Sequence, residues 1–132
     1  MNEQPANHAR DRRALGGEVV LVTGGSRGIG AAVAKAAAAA GATVAVGYQE
    51  HDAAAASVVA SIQGSGGAAA AFRADVSRPS EAKRLVASVE ESFGRIDGLV
   101  NNAGIMPSAP MIDMDDDEWN SVLSTNLSGP FY

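Results

Sequence analysis

The segment Thr23-Gly-Gly-Ser-Arg-Gly-Ile-Gly30 brings together what an anionic ligand requires of a backbone. Glycine lets the main chain approach a pyrophosphate closely, and a helix that starts here points unpaired N–H groups and a partial positive charge at it. Arg27 adds a full cation within the turn. No Gly-Lys-Ser/Thr follows, so the pattern is not a P-loop. A glycine cluster alone also suits an ordinary tight turn; its weight here comes from the elements on either side.

Those elements alternate. Glu18–Thr23 is a short β-branched run, and Gly28–Ala40 is a small-residue helix closed by Gly41. Residues 42–48 form the next strand. Residues 53–63 form a helix with apolar positions at Ala55, Val58, Val59 and Ile62, stopped by the glycines of 64–67. A weaker strand over Ala68–Arg73 precedes a helix that Ser77 and Pro79 start and Gly94 ends, with Ala82, Leu85, Val86, Val89 and Phe93 on one face. A fourth strand, 96–101, leads through a loop over 105–114 to a helix that begins near Asp115 and runs to the last residue. Strand-helix alternation predicts a doubly wound α/β domain with a parallel, Rossmann-like sheet over residues 16–132, because parallel strands need long right-handed crossovers. The expected strand order is 3-2-1-4, truncated after about four strands. The alanines at 36–40 and 53–56 are read as helix propensity with close packing.

Composition narrows the classes. The 132 residues are 46% hydrophobic, carry a formal net charge of −5 and contain no cysteine. The 10 Lys and Arg are scattered, so no nucleic-acid partner is expected. No apolar run approaches a membrane span, and no thiolate site or disulfide exists. Residues 1–15 read as a disordered polar tail. Its Arg12-Arg13 pair invites an export-signal reading, but the apolar segment behind it runs as a strand into a ligand-binding motif, so the expected location is cytoplasmic.

The spacing Thr-Gly-x-x-x-Gly-x-Gly, met by Thr23, Gly24, Gly28 and Gly30, resembles the short-chain dehydrogenase/reductase family. Asp75-Val76 after the third strand, Asn101-Asn-Ala-Gly104 after the fourth, and Trp119 followed by Asn126 are similar to further motifs of that family, in order from about Val19 onwards. The resemblance implies hydride transfer between a nicotinamide cofactor and a small-molecule carbonyl or alcohol, with 3-oxoacyl-(acyl carrier protein) reductases as the nearest guess. It implies cofactor contacts from Gly24, Ser26, Arg27, Gly28, Ile29, Gly30, Tyr48, Asp75, Val76, Asn102, Ala103 and Gly104, and a supporting catalytic role for Asn126 in orienting a water.

Each residue also has a structural reading. Asp75 could cap the loop before its helix, and Asn101 and Asn102 could satisfy backbone groups at a strand end. The acidic run from Asp113 to Glu118 is read as a helix start, with Asp115 and Glu118 resembling a capping box, rather than as a metal site. Trp119 is read as core packing. His8 and His51 are not credible bases, and no metal ligand set is assigned.

Charge bears on which cofactor is held. An NAD binder usually carries an acidic residue about 20 positions beyond the glycines, at the end of the second strand. That place is Tyr48, flanked by Gly47 and Gln49, with Glu50 and Asp52 further on. Arg27 resembles the basic residue with which NADP-preferring members hold the 2′-phosphate, so NADP(H) is expected over NAD(H).

The resemblance also implies a Tyr-x-x-x-Lys proton-donating pair on a later helix. Tyr48 is followed four places on by Asp52, and Tyr132 is the last residue. These 132 residues by themselves are therefore expected to be inactive and, with Leu99 and Val100 on an uncovered strand, to self-associate. The alternatives are a non-catalytic nucleotide-binding or regulatory fragment, a truncated gene product, or an interaction module using that edge.

Overall fold

The computed structural model describes residues 14–107 and 109–132. The tail through residue 13, including His8 and the arginine pair, lies outside the described residues. Leu15, counted with the tail from sequence, packs partly buried against the core, and its N–H donates to Ala40 O at 2.9 Å.

Four parallel strands form one sheet: β1 (Val19–Val22), β2 (Thr43–Tyr48), β3 (Ala68–Arg73) and β4 (Gly98–Val100), in the order β3-β2-β1-β4. The crossovers are α1 (Gly28–Ala39), α2 (Asp52–Gly64) and α3 (Pro79–Phe93). The expected strand order and the boundaries of β3 are observed; other ends move by one or two residues.

Successive strand residues point to opposite faces, and here both faces are covered, so β1 is apolar throughout rather than alternating. Val20 and Val22 join Ala34 and Ala37 of α1 and Val58 and Ile62 of α2 in one core. Val19 and Leu21 join Leu85 and Val89 of α3 in the other. Ala34 is fully buried. Its small side chain lets α1 lie close to the sheet, which sets where the N-terminus of α1 sits above the strand ends. Phe93 closes the second core edge-on against Phe72, with ring centroids 5.9 Å apart.

Strand β4 is shorter than expected from its apolar run. Asp97 replaces a ladder position: its N–H donates to Val19 O at 2.9 Å and its carboxylate accepts the Val19 N–H at 2.8 Å. The Arg95 guanidinium beside it, and then the Val19 N–H, hold the Asp97 carboxyl below the usual carboxylate range. A depressed folded pKa stabilises the fold above the unfolded value, near about 4, and that contribution disappears as pH falls through the folded value. Asp97→Asn should accordingly flatten the loss of stability on acidification, read as the change in urea midpoint between about pH 3 and about pH 7.

After a single 3₁₀ turn at Met111–Asp113 comes α4 (Asp116–Leu123). Asp115 caps it, its Oδ1 accepting the Glu118 N–H at 2.8 Å, so the acidic run is a helix start as its spacing implied. Trp119 departs from the expectation of core packing: it is 46% exposed. The first turn of α4 has no buried residue to pack it against. The helix then widens into a π-helical stretch at Ser124–Ser128 and ends in α5 (Gly129–Phe131).

Candidate functional site

The carboxyl ends of β1 and β4 lie side by side where the chain direction around the sheet reverses, the place at which sheets of this kind take ligands. A clasp joins the two strand ends. The Thr23 hydroxyl, in a residue only 6% exposed, accepts the N–H groups of Asn102 and Ala103 at 3.1 and 3.0 Å and donates to Val100 O at 3.3 Å. In return the Asn102 side-chain amide donates to Thr23 O and Gly24 O at 2.9 and 3.0 Å. Asn102 thus satisfies backbone groups at a strand end, one of its two sequence-based readings. Thr23 was visible in the sequence only as the first letter of the glycine motif; its hydroxyl turns out to organise both loops.

The clasp explains two of the glycines. Gly24 holds φ +63°, and a Cβ there would stand 2.9 Å from Ala103 Cα. A Cβ on Gly30 would stand 2.1 Å from Gly24 O. Gly28 differs, since a Cβ there meets no protein atom within 4 Å, although the residue lines the cleft described next. Space is therefore left open where a ligand would approach the backbone.

The first bond of α1 runs from the Ala31 N–H to Arg27 O at 3.2 Å, which leaves the N–H groups of Gly28, Ile29 and Gly30 without helical acceptors. These face a cleft of about 400 Å³. It is lined by Gly24, Ser26, Arg27, Gly28, Ile29, Gly30, Tyr48, Asn102, Ala103 and Gly104, and by Gln49, Glu50, His51 and Ile105, which the resemblance does not name as cofactor contacts. Gln49, Glu50 and His51 come from the loop after β2, where His51 takes a left-handed conformation at φ 67°, and Ile105 from the loop after β4. The donor-rich helix end, the open glycine and the exposed Arg27 fit a dinucleotide's phosphates, with Arg27 free of ion pairs among the described residues.

Asp75 and Val76 do not line this cleft. The Asp75 carboxylate is engaged locally, accepting from Ser77 N–H at 3.0 Å and Ser77 Oγ at 2.6 Å, with Arg78 at 3.5 Å. This is the loop-capping arrangement. Asn126 sits within the π-helical stretch, and its amide grips one residue twice: Oδ1 accepts the Ile105 N–H at 2.8 Å and Nδ2 donates to Ile105 O at 2.8 Å. Its side chain thereby fixes the loop that leaves the cleft at Gly104. Among the described residues no three His, Cys, Asp or Glu side chains gather to hold a metal, and no helix is long and apolar enough to cross a membrane.

A parallel, doubly wound sheet with a glycine turn and helix N-terminus at its switch point defines a Rossmann-like protein. The chain belongs to the short-chain dehydrogenase family, whose model matches residues 18–132. It is 45% identical over 118 residues to a 3-oxoacyl-[acyl-carrier-protein] reductase of Synechocystis sp., covering 89% of this chain and 48% of that protein. Acetoacetyl-CoA reductase of Shinella zoogloeoides is 46% identical over 113 residues, covering 86% and 45%. Among solved structures, a short chain dehydrogenase from Burkholderia cenocepacia in complex with NADP superposes with a TM-score of 0.85 at 44% identity, covering 89% of this chain and 48% of that one. The chain spans about half the length of the curated relatives it matches.

Proposed function

We propose that this chain forms the cofactor-holding part of an NADP(H)-dependent oxidoreductase that moves hydride between the nicotinamide and a small carbonyl or alcohol. The observation that carries the cofactor preference is Arg27, exposed and free of ion pairs among the described residues at the lip of the cleft. No carboxylate occupies Tyr48, where an NAD binder would hold the ribose 2′-hydroxyl. That the Burkholderia cenocepacia neighbour was solved with NADP supports the same reading. One charge-assisted hydrogen bond from Arg27 to the 2′-phosphate is worth about 10-fold to 150-fold in affinity when desolvated, and the exposure of Arg27 places it at the lower end. Arg27→Ala should weaken NADPH binding by about 10-fold while leaving NADH binding within about 2-fold, measured by fluorescence titration. Equal weakening of both cofactors defeats the preference.

In the reaction itself the bound nicotinamide supplies or accepts the hydride. This chain's residues hold the phosphates at the N-terminus of α1 and, through the Asn126 grip on Ile105, fix the loop beside the cleft. Asn126 belongs to the supporting part of the site. Asp75 and Val76 are assigned to the adenine end by resemblance. The Synechocystis relative makes a 3-oxoacyl thioester the first substrate to try. The second reading, a non-catalytic nucleotide-binding part, predicts NADPH binding without NADPH oxidation across a panel of carbonyls. A cytoplasmic location and self-association complete the proposal. The latter rests on Leu99, 51% exposed on β4, the outer strand among the described residues. Sedimentation as a monomer at all concentrations counts against it.

A further inference from the structure

We propose that Arg73, at the end of β3, is a second cation of the cofactor's 2′-phosphate site and so a specificity-determining residue. The inference rests on the NADP(H) reading and adds to it a residue that no motif of the sequence points to. In the parallel register Arg73 stands opposite Tyr48, the last residue of β2, and the Ala74 N–H donates to Tyr48 O at 2.8 Å. The end of β2 is where sheets of this class meet the adenosine ribose at its 2′ position. From there the Arg73 side chain reaches over the following loop, and its Nε donates to Gln49 O at 3.1 Å. Gln49, Tyr48, Glu50 and His51 all line the cleft.

The loop after β2 carries no cation of its own: Gln49 is neutral, and Glu50 and Asp52 are carboxylates that repel a phosphate dianion. Arg73 lies outside every ion pair among the described residues, so its charge is not cancelled by a partner. One N–H of the guanidinium is used at Gln49, and the fork geometry leaves the rest for an oxyanion. Burial, and then Asp52, push the Tyr48 hydroxyl above its ordinary pKa, and the Arg73 charge works against them. Arg27 approaches from the N-terminus of α1 and Arg73 from β3, so the two cations flank the loop from different elements. Anchoring through the Gln49 carbonyl also orders the loop that borders the ribose, which makes Arg73 a positioning residue as well as a charge.

The test titrates the full chain with NADPH and NADH, and with adenosine 2′,5′-bisphosphate and 5′-AMP as probes of the adenosine end. For Arg73→Gln the expected result is a loss of about 3-fold to 10-fold in affinity for the two ligands bearing a 2′-phosphate, the range for one exposed charge near a phosphate. Affinity for NADH and 5′-AMP should change by less than about 2-fold. Arg73→Lys keeps the charge but not the planar fork, and should retain most of the preference. Equal losses for all four ligands in Arg73→Gln would make Arg73 a loop anchor only and overturn the inference. So would loss of the preference in a folded Arg73→Lys, which decides the matter if Arg73→Gln does not give the parent circular dichroism spectrum. A parent chain that prefers NADPH, beside an Arg73→Gln variant that keeps the whole preference, overturns this inference and leaves the NADP(H) reading standing. A parent chain without preference, or without binding, overturns both.

Discussion

Gly30→Ala is expected to lose nucleotide binding and to destabilise the fold by about 3 kcal/mol or more, the upper end of what overpacking costs. Two effects oppose each other at this position. Alanine inside a helix is favoured over glycine by roughly 0.5–1 kcal/mol. Against that, the new Cβ would lie 2.1 Å from Gly24 O and 2.4 Å from Asn102 Nδ2, neither of which is the free end of a flexible side chain. Gly24 is held by its positive φ and by the bond that Asn102 donates to its carbonyl, so relief requires α1 to move away from the strand ends. Steric conflict therefore wins, and the movement opens the pyrophosphate cradle. Gly64→Ala is the matched control: at the end of α2 a Cβ meets nothing within 4 Å, and the variant should be neutral or slightly stabilised. Thermal melts of the two variants, with NADPH titration of any that fold, check the contrast. Equal melting temperatures for Gly30→Ala and its parent would remove the packing account of this glycine.

Asn102→Asp carries the other large effect and has a distinctive pH signature. The substitution keeps the shape and replaces the amide that donates to Thr23 O and Gly24 O with a carboxylate facing both oxygens. Near neutral pH two part-buried acceptors lose their donor and a charge sits beside them. A loss of roughly 3 kcal/mol is expected, as for an uncompensated charge in a partly buried site. The surroundings raise the pKa of the introduced carboxyl above its unfolded value of about 3.9. A raised folded pKa means that the protonated form is the one compatible with the fold: the penalty is smallest below the unfolded pKa and grows as pH rises through the folded one. Protonated, the group can again donate to one of the two carbonyls. Denaturant midpoints of the variant relative to its parent should thus converge near about pH 4 and diverge towards about pH 7. Asn102→Ala should cost about 2 kcal/mol, one net hydrogen bond for each carbonyl, with no such dependence. A pH-independent deficit in Asn102→Asp contradicts the clasp.

Much of the framework was legible before any coordinates. The helical spacing of Ala55, Val58 and Ile62, and of Ala82, Leu85 and Val89, marks the buried face of α2 and of α3 directly, because a helix has one period and these residues keep to it. The glycine turn was legible for a similar local reason, since Gly24 and Gly28 take positive φ at the strand-to-helix junction. Asp115 capping Glu118 is a contact three residues long, within reach of a sequence rule. Trp119 is exposed because an aromatic residue on a short helix is buried only if another element covers it, and none of the described residues does. At Asp75 two readings stood open, and Ser77 and Arg78 took the carboxylate because they lie within three residues of it.

The sequence by itself determined the succession of elements, the strand order they imply and the place of the glycine turn. Each depends on periodicity or backbone conformation, which neighbouring residues dictate. Only the tertiary structure decided which distant groups meet. Asn102 reaches Thr23 across 79 positions, Asn126 reaches Ile105 across 21, and Arg73 reaches Gln49 across 24. The parallel register that sets Arg73 beside Tyr48 is fixed by burying β2 between two layers of helix with β3 paired along its edge, a requirement of the whole domain that no local stretch of chain records.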